Sequence, residues 1–345
     1  MSNAFLPTEQ QSGVPYQVHY LANALVERGH EVTVYSFSPP PSDARYEAVA
    51  FPKPKLPPRF FPYYMALHLA STDFSKFDVV HAHGDNYLCF RRKPPLLRTF
   101  HGSAIDECAN ATTFRRRAFQ YFNIPLEGLG ARVATAAVGV SRATAARISR
   151  IRTIVSCGVD ITAFSPGAKR DRPTVLFVGS EEGRKRGRWL AELFVREILP
   201  RVPTAELQMV TELAGASEIP GIRRLGRVSP EDLRRLYREA WVFVLPSTYE
   251  GFGVPYIEAM ASGTAVVATT GNPGAEEVLE GGRYGTLVTD GEIGAAIVEL
   301  LTNPSLRAAQ QERGLERCQT FAWPTIAREY EEIYARMIGT APRVG

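Results

Sequence analysis

The sequence predicts an α/β protein of two doubly wound domains facing one cleft, and three observations carry that prediction. Short apolar runs of strand length recur through both halves, at 77–82, 96–100, 174–179, 241–247 and 266–268. Amphipathic helical stretches alternate with them, the pattern of parallel sheets covered on both faces. The series is interrupted once, by a linker of small and charged residues, Ser165-Pro166-Gly167-Ala168-Lys169-Arg170-Asp171.

In order, Val14, Val18, Leu21 and Leu25 share one helical face, and Gly29 stops that helix before a strand over 31–37. The proline-rich stretches 39–41 and 52–58 read as turns and loops. Buried strands follow at 77–82 and 96–100. A helix is expected over 113–130 with a break near Pro125, then a short strand at 138–140 and a helix from 142 to 149. Beyond the linker come a strand at 174–179, a helix at 188–199, and strands at 206–210 and 222–225. Ser229 caps the next helix, with Pro230 at its first position and Glu231 and Asp232 in its first turn. Helices near 274–280, 290–302 and 305–319 complete the second half. A last helix, around 324–337, carries Tyr330 and Tyr334 on one face.

Composition narrows the function classes. A chain of 345 residues accommodates two domains, and a net charge of +4 is too small to argue for nucleic acid. Cys89, Cys108, Cys157 and Cys318 are scattered, suggesting neither a disulfide framework nor a zinc site. No signal-peptide pattern is present, and no apolar run approaches the ~20 residues that span a bilayer. The expectation is a cytoplasmic protein, peripheral at the inner face of the membrane.

The most informative run is Glu250-Gly251-Phe252-Gly253-Val254-Pro255-Tyr256-Ile257-Glu258, continuing to Gly263. It follows the apolar strand 241–247. Gly251 and Gly253 let the backbone turn sharply and approach a ligand, and Pro255 suits the first turn of a helix. That helix would aim its positive end over the glycines, with Glu250 just before it and Glu258 one turn inside. Both carboxylates can face one crevice, which suits the hydroxyls and phosphates of a nucleotide sugar. Arg184, Lys185 and Arg186, between a strand and a helix, read as a phosphate-binding loop or as a solvated basic loop; their place in the βα unit favours the former.

This run resembles the paired-glutamate signature of retaining glycosyltransferases, most closely glycosyltransferase family 4. Weaker matches stand in the same order: Asp78-Val79-Val80-His81-Ala82-His83, Thr99-Phe100-His101-Gly102, Gly139-Val140-Ser141, Gly158-Val159-Asp160, Phe177-Val178-Gly179, and the run from Leu225 to Leu233. The resemblance covers about 7–334. It implies the GT-B fold: an acceptor-binding Rossmann-like domain over 1–165, a nucleotide-sugar-binding one over 166–320, and a C-terminal helix over 321–345 that crosses back to the first. It also implies that Glu258 meets the nucleotide ribose and Glu250 the donor sugar and diphosphate. Gly251, Phe252, Gly253 and Val254 would offer backbone N–H groups, with Gly13 also at the donor. His101 is expected at the sugar's reactive face, hydrogen bonding or handling protons near neutral pH. His81 and His83 are expected to face opposite ways along their strand and to be structural. No metal and no other cofactor is expected.

This chain departs from the family pattern in three places. Ser180 stands where relatives carry Arg, so that Arg184 or Lys185 would supply the charge. Arg186 matches the family Lys by position. Ser12-Gly13 replaces a glycine pair, and only Met1 to Ala4 precede that loop, so the first strand is expected to be missing.

The reading is therefore a retaining enzyme moving a hexosyl group from a UDP-, GDP- or ADP-sugar to a hydroxyl acceptor, which can be lipid-linked, in bacterial polysaccharide or glycolipid synthesis. The competing readings are a GT-B phosphorylase or epimerase and a non-catalytic nucleotide-sugar binder. A nicotinamide dehydrogenase is disfavoured because no G-x-G-x-x-G follows the strands. Three mixtures of aromatic and basic residues, at 59–65, 90–93 and 114–119, point to an anionic membrane surface as a further partner. Core aromatics beside a solvated helix face are the competing explanation.

Overall fold

A computed structural model describes residues 1–10, 13–55, 57, 60–90, 94–111, 113–212 and 219–339. It forms two compact units. One comprises Met1–Gly158 and the segment from Trp323 onward; the other comprises Val159–Ala322.

In the first unit the described elements are α1 (Gly13–Glu27), β1 (Thr33–Ser36), β2 (Glu47–Ala50), α2 (Phe61–Ser71), β3 (Val80–Ala82), β4 (Leu96–Phe100), α3 (Ala104–Ala109), α4 (Phe114–Val133), β5 (Ala136–Gly139), α5 (Arg142–Arg147) and β6 (Thr153–Ile154). β1 pairs with β2, and β3, β4, β5 and β6 pair in that order, all in parallel. Ser2 joins the two groups through parallel bridges to Tyr35 and Ala82. Ser2 N donates to His81 O at 3.0 Å, Asn3 N to Tyr35 O at 3.2 Å, and His83 N to Ser2 O at 3.1 Å. No strand is formed at that place: Ser2 alone makes the bridges, a remnant whose backbone bonds supply partners to the groups on either side of it in a buried sheet.

Two further differences concern the first unit. α4 continues through Pro125, where the sequence led us to expect a break. Pro125 lies on an exposed part of the helix, so water can satisfy the carbonyl its ring leaves unpaired. β2 and α2, which the sequence did not lead us to expect, lie beside the proline-rich stretches 39–41 and 52–58.

The second unit contains β7 (Thr174–Val178), α6 (Gly187–Leu193), β8 (Glu206–Val210), β9 (Ile222–Arg224), α7 (Pro230–Glu239), β10 (Val242–Leu245), α8 (Val254–Ala261), β11 (Ala265–Thr269), α9 (Pro273–Val278), β12 (Thr286–Val288), α10 (Ile293–Thr302) and α11 (Pro304–Cys318). Its sheet runs β12-β11-β10-β7-β8-β9, all parallel. β10 and β11 are buried along their whole length, as their continuous apolar sequences require. The strand order reverses between β7 and β10, the place where doubly wound sheets bind ligands at the C-terminal strand ends.

The units divide earlier than the linker suggests. Val159 N donates to Phe321 O at 2.8 Å and Arg170 N to Glu239 O at 3.1 Å, which draws the linker onto the second unit. Lys169 Nζ adds bonds to Arg238 O at 2.9 Å and Thr264 Oγ1 at 2.8 Å. The final helix, α12 (Trp323–Ile338), belongs to the first unit. Its Trp323, Ile326, Tyr330 and Ile333 share a core with Leu21 and Leu25 of α1 and Leu97 of β4.

Candidate functional site

At the switch point of the second unit, the loop after β7 meets the loop after β10. Gly179 makes the first close approach, for a Cβ there would lie 2.5 Å from Lys185 Cδ. Gly187 makes the second, since its Cβ would lie 2.8 Å from the Phe177 ring. These two glycines let residues 180–186 fold tightly between strand and helix, the geometry that brings backbone and cations to a phosphate.

Arg184 and Lys185 converge on Glu250. Arg184 Nη1 lies 2.8 Å from Glu250 Oε1 and donates to Tyr249 O at 2.5 Å, while Lys185 Nζ lies 3.8 Å from the same carboxylate oxygen. Ser247 Oγ donates to Glu250 Oε1 at 2.7 Å. Burial by itself would raise the Glu250 carboxyl, but Lys185, Arg184 and these hydrogen bonds hold it below the usual carboxylate range. Glu250 is therefore an anion at neutral pH, fixed in place by two cations.

Glu258 is tuned the other way. It is half-buried on α8, and burial pushes its carboxyl up to about 7, against smaller opposing effects of Tyr237 and Lys185. Near neutrality it changes easily between acceptor-only carboxylate and neutral acid. Lys185 thus acts on both carboxyls.

The loop between the glutamates is held from behind by residues that the sequence did not single out. Glu250 N donates to Asn272 Oδ1 at 2.9 Å, and Asn272 Nδ2 to the Tyr256 hydroxyl at 3.1 Å. A Cβ on Gly274 would lie 2.6 Å from Phe252 O and 2.7 Å from Glu250 O, so α9 presses directly on this backbone. The only sequence signal was the turn tripeptide Asn272-Pro273-Gly274, which reads simply as a helix start. Gly253 adopts φ +103° before α8, as a sharp entry into that helix requires. Phe252 is buried edge-on against Phe321, with ring centroids 5.7 Å apart, and Gly251 and Val254 flank it half-buried.

Arg186 is not drawn into this cluster. It caps α6 in the left-handed conformation and pairs twice with Asp290, at 2.8 and 2.7 Å, while its guanidinium covers the Trp189 ring at 4.1 Å. Two ready partners on one side account for that orientation.

Gly13 and His101 belong to the first unit. Gly13 opens α1 with free space at its missing side chain, and Ser12 lies outside the described residues. His101 follows β4, with its Nε2 3.0 Å from His83 Nδ1. The His81 and His83 ring centroids are 4.1 Å apart, which corrects the expectation that they face opposite ways: residues two apart on a strand share a face. His81 also reaches the Tyr334 hydroxyl at 2.7 Å and Thr99 Oγ1 at 2.8 Å. Burial, with the charge of Arg98 adding to it, lowers His101 to about 3. The His101 imidazole is therefore neutral near pH 7 in this environment. Among the described residues, no group of three or more His, Cys, Asp or Glu is arranged to hold a metal ion.

The family model described as Glycosyltransferase Family 4 matches residues 11–163, and the one described as Glycosyl transferases group 1 matches residues 172–303. The chain belongs to glycosyltransferase family 4. Among similar curated proteins, D-inositol 3-phosphate glycosyltransferase 2 of Catenulispora acidiphila is 33% identical over 216 residues, 53% of this chain and 50% of that protein. O-antigen chain mannosyltransferase B of Escherichia coli is 28% identical over 280 residues, 73% of each chain. The family 4 chain spans about half the length of the first curated relatives it matches. Of solved structures, sucrose-phosphate synthase from Thermosynechococcus elongatus has a TM-score of 0.75 at 20% identity, covering 96% of this chain and 94% of that one. Anabaena Alr3699/HepE in complex with UDP-glucose has a TM-score of 0.73 at 16% identity, covering 97% and 98%. These likenesses establish the GT-B fold.

Proposed function

We propose that this family 4 chain is a retaining glycosyltransferase that moves a hexosyl group from a nucleotide sugar to a hydroxyl acceptor, in bacterial polysaccharide or glycolipid synthesis. The observation that carries the reading is the convergence of Arg184 and Lys185 on the buried Glu250 at the switch point of the second unit. Departure of a nucleoside diphosphate builds negative charge, and fixed cations there stabilise it without reorganisation. Arg184 and Lys185 supply that charge in place of a metal, with Ser180 standing where relatives have Arg. Glu250 holds both cations and faces the sugar and diphosphate; Glu258 accepts from the ribose hydroxyls. His101, neutral, hydrogen bonds near the reacting carbon, and the acceptor attacks from the leaving-group face.

The curated relatives named above act, by their names, on an inositol phosphate and on an O-antigen chain, and the solved Anabaena protein holds UDP-glucose. A UDP-, GDP- or ADP-hexose donor is consistent with all three. A peripheral position on an anionic membrane surface is supported by the first unit. On α4, Phe114 is 83% exposed, and Tyr121 and Phe122 are exposed beside Arg115, Arg116 and Arg117. On and before α2, Leu67 and Phe60 are exposed, whereas Phe61 and Met65 of the 59–65 mixture are buried in the core. Such rings enter an interface while the arginines meet headgroups. Arg59 and residues 91–93 of the other two mixtures lie outside the described residues. No described helix is long and apolar enough to cross a membrane.

The test is a thermal-shift and transfer panel of UDP-, GDP- and ADP-hexoses, with and without anionic vesicles. One nucleotide series should raise the melting temperature by mass action and be turned over with retention at the anomeric carbon. Absence of both binding and transfer for every series overturns the reading. Vesicle retention should vanish at high salt and on replacing Arg115, Arg116 and Arg117 with Gln.

A further inference from the structure

His83 belongs neither to the donor cluster nor to the exposed aromatic surface, yet its ring is buried against His101. We infer that His83 is a positioning residue that fixes His101 as the tautomer protonated on Nδ1, so that His101 meets its ligand as a hydrogen-bond donor. The catalytic consequence rests on the glycosyl-transfer reading; the tautomer does not.

Two neutral imidazoles facing each other at 3.0 Å share a single proton between His83 Nδ1 and His101 Nε2, so one ring donates and the other accepts. The second nitrogen of His83 decides which. His83 Nε2 is buried without a partner among the described residues, and so is Trp323 Nε1. Both side chains line one small cavity, together with Gln17, Cys157 and Tyr330. An indole N–H can only donate. A lone pair on His83 Nε2 complements it through one bridging water in the shared cavity, whereas a protonated Nε2 would add a second donor to that cavity.

Two other polar groups of that cavity are already committed, and the Ser156 hydroxyl and Cys157 thiol, which also line it, can each donate to a lone pair on His83 Nε2. Gln17 Nε2 donates to Gly158 O at 2.9 Å, and its Oε1 accepts from Gly158 N at 2.8 Å. The Tyr330 hydroxyl is engaged with Thr99 Oγ1 at 3.0 Å. His83 therefore carries its proton on Nδ1 and donates to His101 Nε2. The remaining proton of His101 lies on Nδ1, the nitrogen left for a ligand. His81, itself held by Tyr334 and Thr99, packs on the His83 ring and prevents it from turning. A permanently neutral N–H suits a sugar or acceptor oxygen and does not act as a base.

The test is nitrogen-15 correlation of the imidazoles in the full chain near neutral pH, together with kinetics of two variants. In the unsubstituted protein both His83 and His101 should be Nδ1–H tautomers. His83→Asn can present an N–H at the same place and should keep His101 in that form with nearly unchanged turnover. His83→Leu should let His101 shift toward Nε2–H and lower kcat about tenfold, leaving the donor KM within about twofold. Finding His101 protonated on Nε2 in the unsubstituted chain, or unmoved in His83→Leu, overturns the proposal. If His83→Leu does not fold, the unsubstituted spectrum and the Asn variant still decide. A failure of every donor to react would break the transferase reading and leave the tautomer assignment standing.

Discussion

The two units solve the same topological problem with opposite chemistry. Each sheet reverses its strand order beside a central strand, and each collects its polar residues at the C-terminal ends nearby. In the second unit that strand is β7, five residues long and paired on both sides, and the residues gathered there are Arg184, Lys185 and Glu250. In the first unit the place is held by residues 1–4 with Ser2 as the bridge, and the residues gathered are the neutral histidines His81, His83 and His101. The charged cluster persists because its ions neutralise one another and its cations stay partly exposed. The histidine layer persists because burial removes its charge. One cluster pairs opposite charges, the other aligns neutral hydrogen bonds.

The comparison breaks most severely if the cations are not equivalent to their geometry. Replacing Arg184 and Lys185 with Ala should lower kcat/KM on the order of a hundredfold and remove affinity for the free nucleoside diphosphate, with the nucleoside spared. Arg186→Ala should cost far less, because that guanidinium is already spent on Asp290 and Trp189. Equal losses in the two variants, measured by calorimetry and initial rates, would show that the cluster at Glu250 is not the diphosphate site.

A smaller effect tests the support behind the charged site. Gly274→Ala sets a methyl group against backbone oxygens that cannot swing aside, so we expect about 2 kcal/mol of destabilisation. Hydrogen exchange should place that loss in the second unit and leave the histidine layer protected. Protection unchanged at α8 and α9 would mean that the loop relaxes freely.

The smallest effect sharpens the contrast itself. His101, with a folded value of about 3, and His81 and His83, held well below 6.5, bind fewer protons folded than unfolded in that window. Their contribution to the first unit is present above about pH 6.5 and lost as pH falls. Asp85 in the same unit, raised to about 7 chiefly by burial, offsets part of this. Glu258, raised from 4.5 to about 7, holds a proton in the folded state that the unfolded chain releases, so the second unit gains stability as pH falls through that range. Between about pH 7 and pH 5.5 the exchange protection of the first unit should weaken relative to the second. Glu258→Gln should flatten the second unit's response, and a constant ratio between the units would refute the opposition.

Much of this architecture is legible in one dimension. The alternation of apolar runs with helical stretches determined the doubly wound class, and β4 and β7 lie where their runs place them. The spacing of Glu250, the glycines and Glu258 determined a strand, a sharp turn and a helix start, because each depends on neighbours a few residues away. What tertiary structure alone decided is which side chains meet. Arg184, Lys185 and Arg186 are adjacent in sequence, yet two turn to Glu250 and the third to Asp290, a choice made by residues more than sixty positions distant. Gly274 is an ordinary turn glycine until α9 presses it on the Glu250 backbone. His83 and His101 are separate strand ends until parallel pairing sets their rings 3.0 Å apart and burial removes their charge. Hydrophobic periodicity is a local signal, whereas desolvation and ion pairing depend on distances that exist only once the sheets have formed.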